Sequence, residues 1–154
     1  MRLILFLAAV GWVALLSCKA PQKLPVNQVK QGIFGSVAEA VGNQMPRVGQ
    51  ATPEPVPYPT TVFFYEPTNI RQANQVESAP LFTAIFTRLV ATVQTDSAGT
   101  FVQPLPVGTY SVFVQVGQQF FANQFDIRNN ISLVTVEPGK LTEIKIVVNH
   151  NAAY

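Results

Sequence analysis

The sequence predicts an all-β chain, an antiparallel sandwich of about seven strands, and three observations carry that expectation. Short runs rich in Val, Ile, Phe, Tyr and Thr recur from Gly32 to Val148. Proline, glycine and asparagine punctuate them, with 12 Pro and 9 Gly in 154 residues. No apolar period of 3.6 residues is sustained beyond a few turns, so helices have no face to build on.

The chain opens with what reads as a lipoprotein signal peptide over residues 1–17. Arg2 supplies a positive start, Leu3 to Leu16 form an almost unbroken apolar stretch, and Leu15-Leu16-Ser17 stand before Cys18 as a lipobox does. Those fourteen apolar positions fall short of the roughly 20 needed to cross a bilayer. Cleavage before Cys18 leaves 154 − 17 = 137 residues carrying acyl chains, whose burial adds about 0.8 kcal/mol per CH₂. Cys18 is the only cysteine, so lipidation removes it from disulfide, metal-thiolate or nucleophilic chemistry. Residues 18–31, with Pro21, Pro25 and few apolar side chains, read as a lipid-anchored flexible linker. No acidic run follows Cys18, in contrast to many surface-exposed Bacteroidetes lipoproteins. The expected location is therefore a bacterial cell envelope, on the periplasm-facing side of the outer membrane.

The remainder, 32–154, suits a single domain. Ile33 to Ala40 is the first strand, with Ile33, Gly35 and Val37 on one face. The prolines at 53, 55 and 57 make Arg47–Tyr58 an extended loop or edge, because proline cannot donate to a ladder. Thr60–Glu66 is the second strand. Pro67–Pro80 reads as a polar connection, and Leu81–Phe86 as a short helical turn or an arm. Arg88–Thr95 is the third strand, with Leu89, Ala91 and Val93 facing one way. Asp96-Ser97-Ala98-Gly99 has the composition of a tight turn, which predicts a hairpin with Thr100-Phe101-Val102. Thr109–Val116 follows, with Tyr110, Val112 and Val114 on one face and Phe113 on the other. Gln119–Asn123 pairs next, and Ile131–Val136 and Leu141–Val148, joined by Glu137-Pro138-Gly139-Lys140, complete the set.

The run Asp96-Ser97-Ala98-Gly99-Thr100-Phe101, then Leu105-Pro106-Val107-Gly108-Thr109-Tyr110, together with Gly35, Val37 and Val136-Glu137-Pro138-Gly139, resembles the carboxypeptidase regulatory-like domain of the transthyretin-like (prealbumin-like) group. The resemblance covers roughly Gly32 to Val148 and implies a prealbumin-like (Ig-like) sandwich. Gly42-Asn43-Gln44-Met45-Pro46, Phe121–Asp126 and Ala152-Ala153-Tyr154 are similar to features of small Bacteroidetes lipoproteins of this type. The shared residues have structural work: glycine for positive φ, Asp96 to cap a turn, Phe101 and Tyr110 to fill a core. The zinc peptidase domain that gives the family its name has no counterpart here.

Catalytic patterns are missing. The single histidine, His150, lies in no zinc-binding pair and near no Gly-x-Ser-x-Gly elbow. The eight carboxylates are dispersed, which speaks against a glycosidase pair or a calcium cage. No cofactor and no metal is expected. A formal charge of +2 is too small for a nucleic-acid binder. The expected function is non-catalytic, a protein or peptide interaction module held to the membrane through Cys18, with carbohydrate binding as the alternative. Candidate ligand-binding residues are Asn43, Met45, Phe120, Phe121, Asn123 and Asp126, where aromatic faces and amides suit a sugar or peptide. Asp96-Ser97-Ala98 resembles the O-glycosylation acceptor of Bacteroidetes, which makes Ser97 a candidate modification site.

Overall fold

A computed structural model describes residues 29–45, 48–49 and 53–153. The signal peptide, Cys18, the linker up to residue 28, Pro46, Arg47 and Tyr154 lie outside the described residues. The described chain is all-β and has thirteen strands in order: β1 (Gly32–Glu39), β2 (Gly42–Asn43), β3 (Val56–Pro57), β4 (Thr61–Tyr65), β5 (Ala73–Gln75), β6 (Leu81–Ile85), β7 (Leu89–Gln94), β8 (Thr100–Pro104), β9 (Gly108–Val116), β10 (Gln119–Phe121), β11 (Leu133–Val136), β12 (Leu141–Val148) and β13 (Ala152–Ala153). A 3₁₀ turn, Ile70–Gln72, precedes β5.

Two sheets form a sandwich. In the smaller, β12 lies against β1, and β8 and β3 follow each other along β1's opposite side. The larger runs β5-β6-β10-β9-β4-β7, with β11 sharing β10's side of β9. The seven antiparallel strands of the sequence expectation become thirteen, and two pairs are parallel: β1 with β12, and β2 with β13. Residue alternation encodes which face a side chain takes, but not which strand lies beside it or in which direction.

Alternation of β9 divides two cores as expected. Tyr110, Val112 and Val114 point between the sheets, meeting Ile33 and Val37 of β1, Phe101 of β8 and Val148 of β12. Phe113 points to the other side, into an aromatic cluster with Phe82 and Tyr65, both with ring centroids 5.7 Å from it. These pairs meet edge to face, a geometry worth about 0.5–1.5 kcal/mol beyond area burial. Phe63 and Phe120 extend the cluster at 5.1 Å.

Four expectations change for physical reasons. Leu81–Phe86 is no helix or arm: its first five residues form β6, which sets the fully buried Phe82 against Phe113. The Pro67–Pro80 connection is not merely polar loop. Asn69 caps the 3₁₀ turn, accepting from Arg71 N while its own N–H donates to Gln72 Oε1, and β5 then pairs with β6. Asp96–Gly99 does not close a hairpin. It carries the chain from the larger sheet to the smaller, because Gly99 O accepts from Val37 N and so fastens the turn to β1. Leu89 is turned outward, 45% exposed, because an irregularity opposite Phe64/Tyr65 shifts the register and presents Val90 to the core with Ala91 and Val93. The packed chain also begins earlier than the expected boundary at Gly32. Val29 is buried, and the Gln31 side chain donates to Leu105 O and accepts from Gly139 N.

Gly35 has no room for a side chain. A Cβ there would fall 1.9 Å from Ile144 O on the parallel neighbour β12. Gly35→Ala is expected to destabilise the fold by about 3 kcal/mol, since backbone must move apart, and urea unfolding of both chains measures it. Among the described residues Thr68 and Ser111 are polar and fully buried. Thr68 N donates to Ser111 Oγ at 2.9 Å, and the Thr68 hydroxyl bonds Glu66 O and the Thr87 hydroxyl. Ser111→Ala leaves the Thr68 N–H buried without an acceptor, which costs about 1–3 kcal/mol; an unchanged unfolding midpoint would contradict this.

Candidate functional site

The six candidate binding residues do not converge. Strand alternation sends Phe121 inward, 1% exposed, into the inter-sheet core. There its ring centroid lies 6.4 Å from that of His150. Its neighbour Phe120 goes the opposite way, into the outer aromatic cluster. Phe121 is therefore no surface platform for a sugar ring, and Phe120 presents part of its ring amid Phe63, Tyr65 and Phe113. Asn43 belongs to the separate β2–β13 ribbon, where its Oδ1 accepts from Met45 N at 2.8 Å and leaves Met45 half exposed. Asn123 is exposed, its Nδ2 reaching Asn149 Oδ1 at 3.3 Å and, at the outer limit of a hydrogen bond, Val147 O at 3.5 Å.

Asp126 organises its own loop. Its Oδ1 accepts from Arg128 N and Asn130 N, both at 2.8 Å, and its Oδ2 accepts from Asn130 Nδ2. The Asn130 backbone N–H, then its side-chain amide, outweigh an opposing desolvation and, with lesser help from the Arg128 N–H and charge, hold this carboxyl below the usual aspartate range. A carboxyl that resists protonation in the fold stabilises it above its unfolded pKa and loses that contribution as pH falls through its folded one. Amide-exchange protection of Arg128 and Asn130 is thus expected to decline as pH drops below about 4, and to be independent of pH there in Asp126→Asn. Flat protection in the native chain would refute the capping role.

One cleft does bring part of the candidate set to an opening. It measures about 320 Å³ and lies where the sheets part between β12 and β11, a volume at the lower end of ligand sites. Val112, Phe121, Val134, Ile144 and Ile146 make its apolar floor; Asn123, Gln124, Ser132 and Lys145 make its polar rim. Asn43, Met45, Phe120 and Asp126 are not among its walls.

Beside this cleft runs the outer edge of β12, with which no strand pairs among the described residues. Gly32 N donates to Lys140 O and Ala40 N to Val148 O, and the register between them is unbroken. In a parallel ladder alternate residues bond the same neighbour, so the even-numbered residues of β12 serve β1. Leu141, Glu143, Lys145 and Val147 direct their backbone N–H and C=O away from β1, and of these the Val147 carbonyl already accepts from Asn123 Nδ2. The side chains of Ile144 and Ile146 then fall on the cleft floor, while Glu143 and Lys145 remain exposed, 3.9 Å apart. Charged side chains on an open edge blunt indiscriminate pairing. Sequence reasoning missed this edge, although charges at 143 and 145 alternating with isoleucines at 144 and 146 were its signature.

A second, broader hollow of about 630 Å³ is bordered by Glu66, Gln72, Thr87, Arg88, Pro106 and Tyr110, among others. Ser97 sits exposed on a turn whose Asp96 carboxylate accepts from Ala98 N, Thr100 N and the Thr100 hydroxyl. Among the described residues no group of three or more His, Cys, Asp and Glu could hold a metal, and His150 Nδ1 is buried without a hydrogen-bond partner. No described helix is long and apolar enough to cross a membrane.

No family model, curated protein or solved structure matches the chain. The residues that carry the resemblance to carboxypeptidase regulatory-like domains do occupy structural positions. Gly99 has φ +73°, Phe101 and Tyr110 are core, and the Tyr110 hydroxyl donates to Pro106 O at 2.9 Å.

Proposed function

We propose that the protein is a non-catalytic, lipid-anchored module of a bacterial cell envelope, prealbumin-like in fold, that docks a protein or peptide segment along the outer edge of β12. The observation that supports this reading is the coincidence of outward backbone donors and acceptors on Leu141, Glu143 and Lys145 with an apolar cleft beneath the even-numbered residues. An extended peptide added to such an edge gains main-chain hydrogen bonds, and its alternate side chains reach the cleft for specificity. Asn123 and Lys145 stand at the rim, where they can select the incoming segment. A partner rather than a substrate is favoured by the chemistry of the rim, which offers amides, a hydroxyl and one ammonium group but no base beside a nucleophile.

The test is a crosslinking pulldown from intact envelopes with the native chain and Lys145→Pro. The Lys145 N–H faces away from β1, so proline there removes an outward donor without taking a hydrogen bond from the β1–β12 ladder. A reproducible partner captured by the native chain and lost with Lys145→Pro, at an unchanged melting temperature, is the expected result. Capture of the same partners by both proteins, or of none, would sink the edge-docking reading. A Phe121→Ala variant is unsuitable for this purpose, because emptying a buried phenylalanine site costs about 3–5 kcal/mol by itself.

A further inference from the structure

The charge pattern of β12 is complementary to itself. Glu143 and Lys145 are exposed on one face of the strand and lie 3.9 Å apart, a loose pair at the outer limit of ion-pair contact. Ile144 stands between them, half-buried on the cleft floor with Ile146. Leu141, Glu143 and Lys145 turn their backbone N–H and C=O toward the side of β12 with which no strand pairs among the described residues.

A strand that pairs with a second copy of itself about a two-fold axis must run antiparallel to it. Residues bonded across such a pair both direct their backbone at the partner, so odd-numbered residues of β12 face odd-numbered ones and the axis passes through one residue. An axis at Glu143 sets that carboxylate against its own copy, and an axis at Lys145 does the same with two ammonium groups. Axes at Thr142 or Ile146 leave both charges opposite uncharged residues and shorten the overlap. With the axis at Ile144, Glu143 of each copy faces Lys145 of the other, and Leu141 faces Val147. Each charge keeps its neighbour along the strand and gains a second across it, so the intrachain pair is extended rather than broken.

Resting on the reading of β12 as a docking edge, we propose that its occupant is β12 of a second copy of this chain, paired antiparallel about a two-fold axis at Ile144. The two central pairs, Glu143 with Lys145 in each direction, form without displacing any hydrogen bond of the β1–β12 ladder. Toward the strand ends Leu141 meets Val147, whose carbonyl keeps a second lone pair beside its 3.5 Å contact from Asn123 Nδ2. Ile144 meets its own copy in a closely spaced, non-bonded pair, with Cα atoms about 4.5 Å apart, and Ile146 meets Thr142. The half-buried isoleucines of the two cleft floors then form one apolar strip, and the smaller sheets of the two copies become one continuous sheet. Charges that repel a casual strand thereby admit one sequence in one register, because the neighbouring registers set like charges together.

The test is sedimentation equilibrium of the full processed chain in density-matched detergent, alongside Glu143→Lys, Lys145→Glu and the double swap. Both side chains are exposed, so all variants are expected to keep the native melting temperature. The native chain is expected to dimerise. Either single swap sets like charges together twice across the axis and is expected to weaken the dimer about tenfold or more. The double swap is expected to restore it, and the two single-swap chains are expected to associate with each other more tightly than either does with itself. A double swap no stronger than the single ones, or a dimer of equal strength in every variant, would overturn the proposal. So would a native chain that stays monomeric at its highest soluble concentration. The envelope pulldown then separates the two readings: a different protein captured and lost with Lys145→Pro leaves the docking edge standing without the second copy, whereas no captured protein overturns both.

Discussion

Strand β9 must be apolar on both faces at once, and the rest of the molecule is arranged to meet that demand. From Tyr110 to Val114 five consecutive residues are buried, a pattern that water tolerates on neither side. One face is covered by the smaller sheet and draws β1, β8 and β12 over it. The other is covered by the larger sheet's own far strands and loops, with Phe82, Ala122 and Ile131 closing on Phe113. Ser111 is the polar exception within the run, and it is buried at no loss because Thr68 N donates to its hydroxyl. That contact also brings the Pro67–Gln72 segment against β9, which in turn sets where β5 and β6 can cover the aromatic cluster.

The candidate cleft arises from the same arrangement. The inter-sheet core is closed on the β7 side by the chain crossing at Asp96–Gly99, whereas on the β12 side the sheets are bridged at one end by the Glu137–Lys140 turn and the Thr142 hydroxyl on Thr135 O, and at the other by Asn123 Nδ2 on Val147 O and Asn149 Oδ1. The sheets part between those bridges, and the apolar floor between β11 and β12 opens beside a strand with no second neighbour among the described residues. Site and edge are therefore one feature, produced by ending the smaller sheet at β12.

Which residues face which core was legible from alternation alone: Ile33 and Val37, and Tyr110, Val112 and Val114 against Phe113, all stand where period-two patterning puts them. The turn chemistry of Asp96 and Gly99 was also legible, because a carboxylate acceptor and a positive φ are local properties. What the turn connects was not local. A tight turn between two strands reads as a hairpin, and only the hydrogen bond between Val37 N and Gly99 O, made across some sixty residues of sequence, reveals a crossing between sheets. Leu89 was misread for a similar reason, since one irregular position inverts the facing of everything beyond it. For the binding residues, a cluster of aromatic and amide letters at 120–126 could not say which ring faced inward. Alternation along β10 separated Phe120 from Phe121, and Asp126 turned out to be occupied with its own loop.

The pairing of β1 with β12 joins residues 109 positions apart throughout, as at Gly32 and Leu141. The central strand of the smaller sheet thus waits for almost the last strand to be synthesised. Until then β1 has one unpaired side, and Val37 lacks the covering that Val148 gives it in the core. Such long sequence separations slow folding, because loop-closure entropy is lost before the contact forms. Completion late in the chain means that a polypeptide emerging amino terminus first stays threadable for most of its length and closes only when its carboxyl-terminal strand arrives. Premature folding is thereby discouraged by topology alone.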